Sequence, residues 1–212
     1  LASGSVVPAD LVVVAGGRGS ADLLAGVSYE LPLVSAATQP SGAVGLLVIS
    51  RPLAWPVGHV LIADDVMIRP DGGGRLIIHD YRTDALVGAA TPVVPVPEPA
   101  VRLLRDTARH VRGADEVDVE AVRIGVRVLP ADEMPVVGRV PGLDNVYVCA
   151  THSGVTLAPL LGELVAGEIL READSPLLAT FRPDRFAAAR TVAAVPGVPR
   201  SAEEVTQCAS DA

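Results

Sequence analysis

The residues best suited to chemistry lie where an apolar strand turns sharply into a helix. Residues 146–150 are apolar, a polar turn follows at residues 151–153, and Gly154 begins a long amphipathic helix. Backbone N–H groups at a helix N-terminus are unpaired and carry partial positive charge, so the loop at residues 152–156 can hold an electron-rich ligand atom. The alternative is an ordinary strand–turn–helix connection that binds nothing.

The hydroxyl and imidazole groups of this loop do not form a hydrolase signature. The loop reads Thr151-His152-Ser153-Gly154, whereas a nucleophile elbow requires G-x-S-x-G around the serine. Because the first glycine of that signature is missing, hydrolysis is the weakest of the enzymatic interpretations.

Composition narrows the class of ligand. The 212 residues carry a formal net charge of −8 and only 3% aromatic residues, whereas nucleic-acid binding needs clustered Lys and Arg or aromatic stacking platforms. The two cysteines and four histidines show neither a disulfide framework nor metal-ligand spacing, which favours a reducing cytoplasm. No apolar run reaches the roughly 18 residues that span a bilayer. We therefore expect a cytoplasmic protein with a small-molecule partner and without nucleic acid, metal or membrane span.

The elements that position the loop follow from hydrophobic patterning. Residues 11–15 form a continuous apolar run, typical of a strand buried on both faces of a parallel sheet. Residues 98–112 predict a helix with an apolar face that includes Val101. Residues 154–172 predict a helix whose buried apolar face includes Leu160, and Glu168 lies within that face and needs a partner if buried. Further strands are predicted over residues 44–50, 59–63, 66–69, 75–79 and 117–127, with a hairpin turn at residues 70–74 and a bulge near Ala121.

Several short motifs occur in an order that resembles one known family. Residues 9–20, which begin A-D-L-V-V-V-A-G-G, residues 125–138, which end P-V-V-G, and residues 141–148, P-G-L-D-N-V-Y-V, are similar to segments of the FAD-dependent D-amino acid oxidase and glycine oxidase superfamily. Residues 175–178 and 181–186 look like its closing signature. Each motif is weak alone, but their shared order over residues 5–186 argues against chance.

The resemblance implies that FAD is the cofactor and that an amine or amino acid is oxidised by hydride transfer to the flavin. It implies that Arg127 grips a substrate carboxylate through two parallel hydrogen bonds, and that His152 faces the substrate or hydrogen-bonds the loop. The residues implied in cofactor binding are Ala15, Gly16, Gly17, Thr151, His152, Ser153, Gly154, Val155, Thr156 and Leu157. No residue is assigned as catalytic, because hydride transfer from a neutral amine needs no strong enzyme base.

Two parts of the implied site act through the main chain. The N–H groups of Gly154, Val155 and Thr156 would meet the flavin ring where negative charge grows on reduction. Gly16 and Gly17 would let the chain pass close to FAD, where a Cβ would clash.

The chain lacks one signature of the resembled family. Its members begin with a strand, a G-x-G-x-x-G turn and a helix that receive the FAD pyrophosphate, and this sequence contains no such unit. We therefore interpret the chain as the C-terminal portion of a longer oxidoreductase, with an N-terminal FAD-binding portion or a separate FAD-binding chain as its expected partner. It should bind FAD poorly alone.

The predicted fold class is α/β, with an incomplete Rossmann-like FAD-binding domain and an α+β substrate domain built on an antiparallel sheet. Residues 1–30 and 126–186 are assigned to the FAD-binding domain, residues 31–125 to the substrate domain, and residues 187–212 to a flexible tail. The alternative function is a non-catalytic small-molecule binding or assembly subunit that needs a separate FAD-binding chain.

Overall fold

In the computed structural model, residues 6–37, 40–54, 57–111, 116–171 and 173–189 are described. In chain order the elements are β1 (Val12–Val14), α1 (Gly19–Ala25), α2 (Pro40–Ala43), β2 (Val44–Ser50), β3 (Leu61–Ala63), β4 (Val66–Pro70), β5 (Leu76–Asp80), α3 (Tyr81–Asp84), α4 (Glu98–Thr107), β6 (Val119–Val126), β7 (Val136–Val140), β8 (Leu143–Ala150), α5 (Gly154–Arg171) and two 3₁₀ helices, η1 (Pro176–Phe181) and η2 (Pro183–Ala189). The mixed helices and sheets confirm the predicted fold class.

The chain divides into two compact units. Unit 1 comprises Leu1–Leu33 with Val128–Ala212, and unit 2 comprises Val34–Arg127. The roles assigned to these two parts from the sequence remain predictions. Of the predicted tail, residues 190–212 lie outside the described residues, as do residue 112 of the predicted helix and residue 172.

Unit 1 is built on a three-stranded sheet in the order β1-β8-β7, in which β1 is parallel and β7 antiparallel to β8. One face of β8 packs Val148 against Leu24 of α1, and the other face packs Tyr147 against Leu161 of α5. Helices therefore cover both faces, which suits a sheet with a parallel pair. The chain leaves and re-enters this unit side by side, since an isolated bridge joins Leu33 to Pro130.

Strand β1 departs from its prediction. It is parallel to β8 as expected, but it lies at the edge of the sheet, and Val12 and Val13 are 48% and 44% exposed. The prediction of a strand buried on both faces was therefore wrong for the residues that the structure describes. The apolar run remains a strong β-former, but no strand in the described part of the chain pairs with its outer edge.

Unit 2 is built on a five-stranded antiparallel sheet in the order β3-β4-β5-β2-β6. The predicted hairpin turn is confirmed, since Pro70 pairs with Leu76 across the glycine-rich turn. Strand β2 lies at the centre of the core, where Leu46 packs with Leu103 of α4. The register of β2 with β6 shifts at Glu120, one residue before the predicted bulge.

The predicted buried faces of the two longer helices were partly wrong. Helix α4 ends at Thr107 and buries Leu103 and Thr107, whereas Val101 is exposed. Thr107 tolerates burial because its Oγ1 donates to the carbonyl of Leu103 at 2.7 Å. Helix α5 buries Glu168, so the condition under which it needs a partner is met, but Leu160 of the predicted apolar face is half exposed. Among the described residues, we find no helix with the length and apolarity needed to cross a membrane.

Candidate functional site

A cavity of about 470 Å³ in unit 1 lies between the end of β1, the end of β8 and helix α5. It brings together four of the residues predicted to bind a cofactor, namely Ala15, Gly17, Thr151 and Gly154. The remaining lining is Val13, Cys149, Ala150, Ala158, Leu161, Gly162, Val165, Ala166 and Ile169. All of these side chains are small or apolar and none is charged, so the cavity suits an apolar surface.

The N-terminus of α5 supplies hydrogen-bond donors beside this cavity. The first bond of the helix runs from the Leu157 N–H to the Ser153 carbonyl at 2.9 Å. The N–H groups of the preceding turn, residues 154–156, therefore have no partner within the helix. The turn before the helix is held by the Ser153 N–H, which donates to Thr151 Oγ1 at 3.3 Å. This arrangement can bind an electron-rich atom through backbone groups alone.

The other six predicted cofactor residues, Gly16 and five residues of the turn and the start of α5, do not line the cavity. His152 and Ser153 are exposed on the turn, Val155 and Thr156 are exposed on α5, and Leu157 is half-buried. No shared side-chain site is formed by these five residues, so their predicted contribution rests on the main chain.

The two glycines after β1, Gly16 and Gly17, differ in whether the structure requires glycine at their positions. Gly17 has φ +58°, a left-handed conformation that side chains rarely adopt. A Cβ at Gly16 would meet its nearest atom, the Ser20 nitrogen, at 3.5 Å, which is an ordinary contact. Within this chain, backbone conformation requires glycine at 17 and packing does not require it at 16.

Arg127, the predicted substrate residue, is held in unit 2. The Arg127 backbone N–H donates to the Ala43 carbonyl at 2.7 Å. Its Nη1 donates to the carbonyls of Gly42 and Val44 at 3.0 and 2.6 Å, and its Nη2 donates to Asp84 Oδ2 at 2.5 Å. The guanidinium is therefore fixed by the protein's own acceptors, with 18% of the side chain exposed.

Asp84 and His79 complete this cluster. His79 Nε2 lies 2.8 Å from Asp84 Oδ2 and 3.0 Å from Arg127 Nη2. The Leu46 N–H donates to Asp84 Oδ1 at 2.8 Å. The ring of Tyr81 packs edge-on against His79, with centroids 4.8 Å apart, and lies 5.7 Å from the guanidinium carbon of Arg127.

Electrostatics keep Asp84 ionised. Burial alone would raise the pKa of this carboxyl, but hydrogen bonds from His79, Arg127 and the Leu46 N–H outweigh burial and hold the pKa below its usual range. The sequence analysis missed both His79 and Asp84. The available signal was a polar run, residues 79–84, which begins inside strand β5 and continues through helix α3.

A second buried cluster fixes helix α5. Arg182 donates to both carboxylate oxygens of Glu168, at 2.9 and 2.5 Å, and the Tyr147 hydroxyl donates to Oε2 at 2.5 Å. The Ser175 N–H donates to Oε1 at 2.6 Å. Burial opposes ionisation, but these hydrogen bonds prevail and lower the pKa of Glu168 to about 2. The partner that Glu168 required is therefore present, and it anchors the segment after α5 to the helix.

Among its described residues, the site meets the requirements of neither a metal centre nor a reactive thiol. The described part of the chain contains no group of three or more His, Cys, Asp or Glu residues placed to hold a metal ion. Cys149 lines the cavity, and burial raises the pKa of its thiol, which makes it less reactive.

Several known proteins are similar to this chain in sequence and in fold. Residues 1–168 match the family described as FAD dependent oxidoreductase (DAO). The chain is 27% identical, over 81% of its length, to the tRNA 5-methylaminomethyl-2-thiouridine biosynthesis bifunctional protein MnmC of Idiomarina loihiensis, and covers 27% of that protein.

Two solved structures extend the comparison. Glycine oxidase from Geobacillus kaustophilus is 26% identical with a TM-score of 0.63, covering 82% of this chain and 45% of its own. Iminodiacetate oxidase (IdaA) from Chelativorans sp. BNC1 has a TM-score of 0.67 at 20% identity, covering 85% of this chain and 48% of its own. The chain thus spans less than half the length of each of these three proteins. With a family match over most of its residues, the chain belongs to the FAD-dependent oxidoreductases.

Proposed function

We propose that this chain supplies the flavin-ring flank and the substrate-side sheet of an oxidoreductase that oxidises an amine or amino acid with FAD. The observation that carries the proposal is the cavity of unit 1, where the small residues after β1 meet the free N–H groups of α5. The family to which the chain belongs uses FAD.

The residues of the cavity fit one end of FAD. Ala15, Gly17 and Gly154 leave room for a flat ring, and the α5 N-terminus offers N–H donors to an electron-rich edge. The lining carries no charged side chain, and the sequence has no G-x-G-x-x-G turn, so the fit does not extend to the pyrophosphate. When bound, FAD accepts a hydride from the carbon next to an amine nitrogen. The role of these residues is to orient the ring and to stabilise negative charge through backbone dipoles.

The proposed substrate class is supported by the related proteins. Glycine oxidase and iminodiacetate oxidase are named for substrates that contain an amine. On this chain, Arg127 and its neighbours on β5 and α3 are the candidate substrate-side residues, and His152 remains a candidate from the resemblance alone.

The proposed partner is a polypeptide that carries the pyrophosphate-binding strand and helix, whether a separate chain or a further part of the same protein. The open edge of β1 supports it. Val12 and Val13 on this edge strand are 48% and 44% exposed. A parallel strand added at β1 would bury them and would leave the cavity to the flavin ring.

The test is retention of FAD, read from the visible absorption spectrum after dialysis. We expect retention only when a chain carrying a G-x-G-x-x-G unit is present. In that complex, Gly154→Pro removes one N–H at the first helical position, where proline is tolerated, and should weaken FAD binding about tenfold, as loss of a hydrogen bond of roughly 1.4 kcal/mol would.

Gly154→Ala is the matched control. It keeps the N–H, and its Cβ would meet no protein atom within 4 Å, so FAD affinity should fall less than in Gly154→Pro. Equal loss in both variants would contradict the role of the N–H group. FAD held by this chain alone would contradict the need for a partner, and no FAD in either form would favour a non-catalytic binding or assembly subunit.

A further inference from the structure

We propose that Asp84 is a specificity-determining residue that occupies the Arg127 guanidinium in place of a substrate carboxylate, so that the site takes amines without a free carboxylate. This inference rests on the proposed function, and it concerns the substrate class alone. It departs from the expectation that Arg127 grips a substrate carboxylate.

The first step is a count of donors on the guanidinium. A bidentate grip on a carboxylate needs two neighbouring N–H groups that are free. Both hydrogens of Nη1 are used by the carbonyls of Gly42 and Val44, and Nη2 faces Asp84 and His79. In either tautomer of His79, its Nε2 lies 3.0 Å from Nη2 and blocks the approach of another group on that side. A substrate carboxylate could form the fork only by displacing one of these groups.

The second step concerns whether Asp84 can be displaced. Asp84 is 3% exposed, and its other oxygen accepts the Leu46 N–H from the central strand β2. Moving Arg127 away would leave a buried carboxylate without its cation, which is strongly unfavourable. An incoming carboxylate would also be repelled by the charge of Asp84. The Arg127–Asp84 pair therefore disfavours anionic substrates in two ways. Asp84 uses the N–H donors that a substrate carboxylate would need, and its negative charge repels that carboxylate.

The third step concerns the strand beneath the guanidinium. A Cβ at Gly45 would lie 2.7 Å from Arg127 Nη2, so the group lies directly over a glycine of β2. A side chain at position 45 would collide with the guanidinium in the position from which it reaches Asp84. The sequence thus provides both the anion and the space for this pairing.

The test is a calorimetric titration of the full chain with benzoate. Benzamide is the uncharged control ligand. We expect no saturable benzoate binding by the wild-type chain. In Asp84→Asn, the side-chain oxygen can still accept the Leu46 N–H, but the competing charge is gone. Saturable benzoate binding should then appear, with an affinity at least about tenfold above the detection limit that the wild type fails to reach, and should be lost again in the double variant with Arg127→Met.

Asp106→Asn is the matched control, because Asp106 is another buried aspartate of unit 2 that pairs with arginines, Arg102 and Arg109, and does not contact Arg127. It should not bind benzoate. Arg127-dependent benzoate binding by the wild-type chain would overturn the proposal, even if Asp84→Asn does not fold. Absence of benzoate binding in a folded Asp84→Asn chain would overturn it as well. Failure of the proposed FAD site would be seen in the absorption spectrum and would leave the benzoate titration unchanged.

Discussion

Glu168 is a carboxylate on the apolar face of a helix, and its ionisation depends on three hydrogen-bonding neighbours. Its folded-state pKa of about 2 lies below its ordinary value of 4.5. Ionised Glu168 therefore stabilises the folded state above pH 4.5, and this contribution is lost as the pH falls towards 2. We expect the free energy of unfolding to decline over that range in the wild-type chain and to decline less in Glu168→Gln.

At neutral pH, Glu168→Gln should lower the free energy of unfolding by about 2 kcal/mol, because Arg182 loses its buried anion. Urea denaturation at several pH values measures both effects. Glu163→Gln is the control, since Glu163 is an exposed glutamate of the same helix. Parallel pH profiles for the wild type and Glu168→Gln would show that the cluster does not carry acid sensitivity.

At the scale of elements, the paired strands β2 and β6 carry two glycines, of which one has no room for a Cβ and the other has room. Gly45 and Gly125 are cross-strand partners, so both sit in the same local backbone. Gly45→Ala should destabilise unit 2 by about 1–3 kcal/mol, because its Cβ would push the Arg127 guanidinium away from Asp84.

Gly125→Ala is the control for strand propensity. Its Cβ would meet the Gly45 carbonyl oxygen at 3.8 Å, an ordinary contact, so we expect no loss of stability. Denaturation monitored by circular dichroism measures the difference. Equal stability of the two variants would show that the guanidinium can move without cost.

Elements with strong local signals could be predicted from the sequence. Strand β2 is found at the predicted residues, and the hairpin at residues 70–74 follows from its glycines. The buried face of α4 could not be predicted from apolar residues alone. Thr107 can be buried on that face because its hydroxyl donates a hydrogen bond to the Leu103 carbonyl. Strand β1 could not be predicted as an edge strand. An apolar run of this kind is expected both for a strand with neighbours on its two sides and for a strand that pairs on one side only.

The candidate site was predictable only in part. Backbone features such as the free N–H groups of residues 154–156 follow from a turn that begins a helix. Arg127 was found through resemblance, but its pairing with Asp84 depends on the way strands β2, β5 and β6 align in one sheet. Side-chain pairs that join distant segments leave no periodic pattern, so His79 and Asp84 could not be identified.

At the scale of the whole molecule, the open edge of β1 predicts association with the proposed partner. Val13→Lys places a charge on the exposed edge and in the apolar cavity, so it should abolish co-elution with a chain that carries the G-x-G-x-x-G unit. Light scattering coupled to size-exclusion chromatography measures the complex. Ile62→Lys is the control, because Ile62 is an exposed apolar residue on β3, one of the two edge strands of the five-stranded sheet. Loss of the complex in both variants would argue against β1 as the docking edge.

The side-by-side exit and re-entry of the chain at Leu33 and Pro130 has a consequence for synthesis on the ribosome. Unit 2 is one continuous segment, so its sheet can form as soon as β6 emerges. Strand β1 must wait for β8, since Val12 pairs with Val146, and its closure spans all of unit 2. Pulsed hydrogen exchange during refolding should therefore protect the amides of β2 before those of β1. Until β8 arrives, β1 lacks the strand that pairs with it among the described residues, and this is the interval in which a chaperone or the proposed FAD-binding polypeptide would meet it.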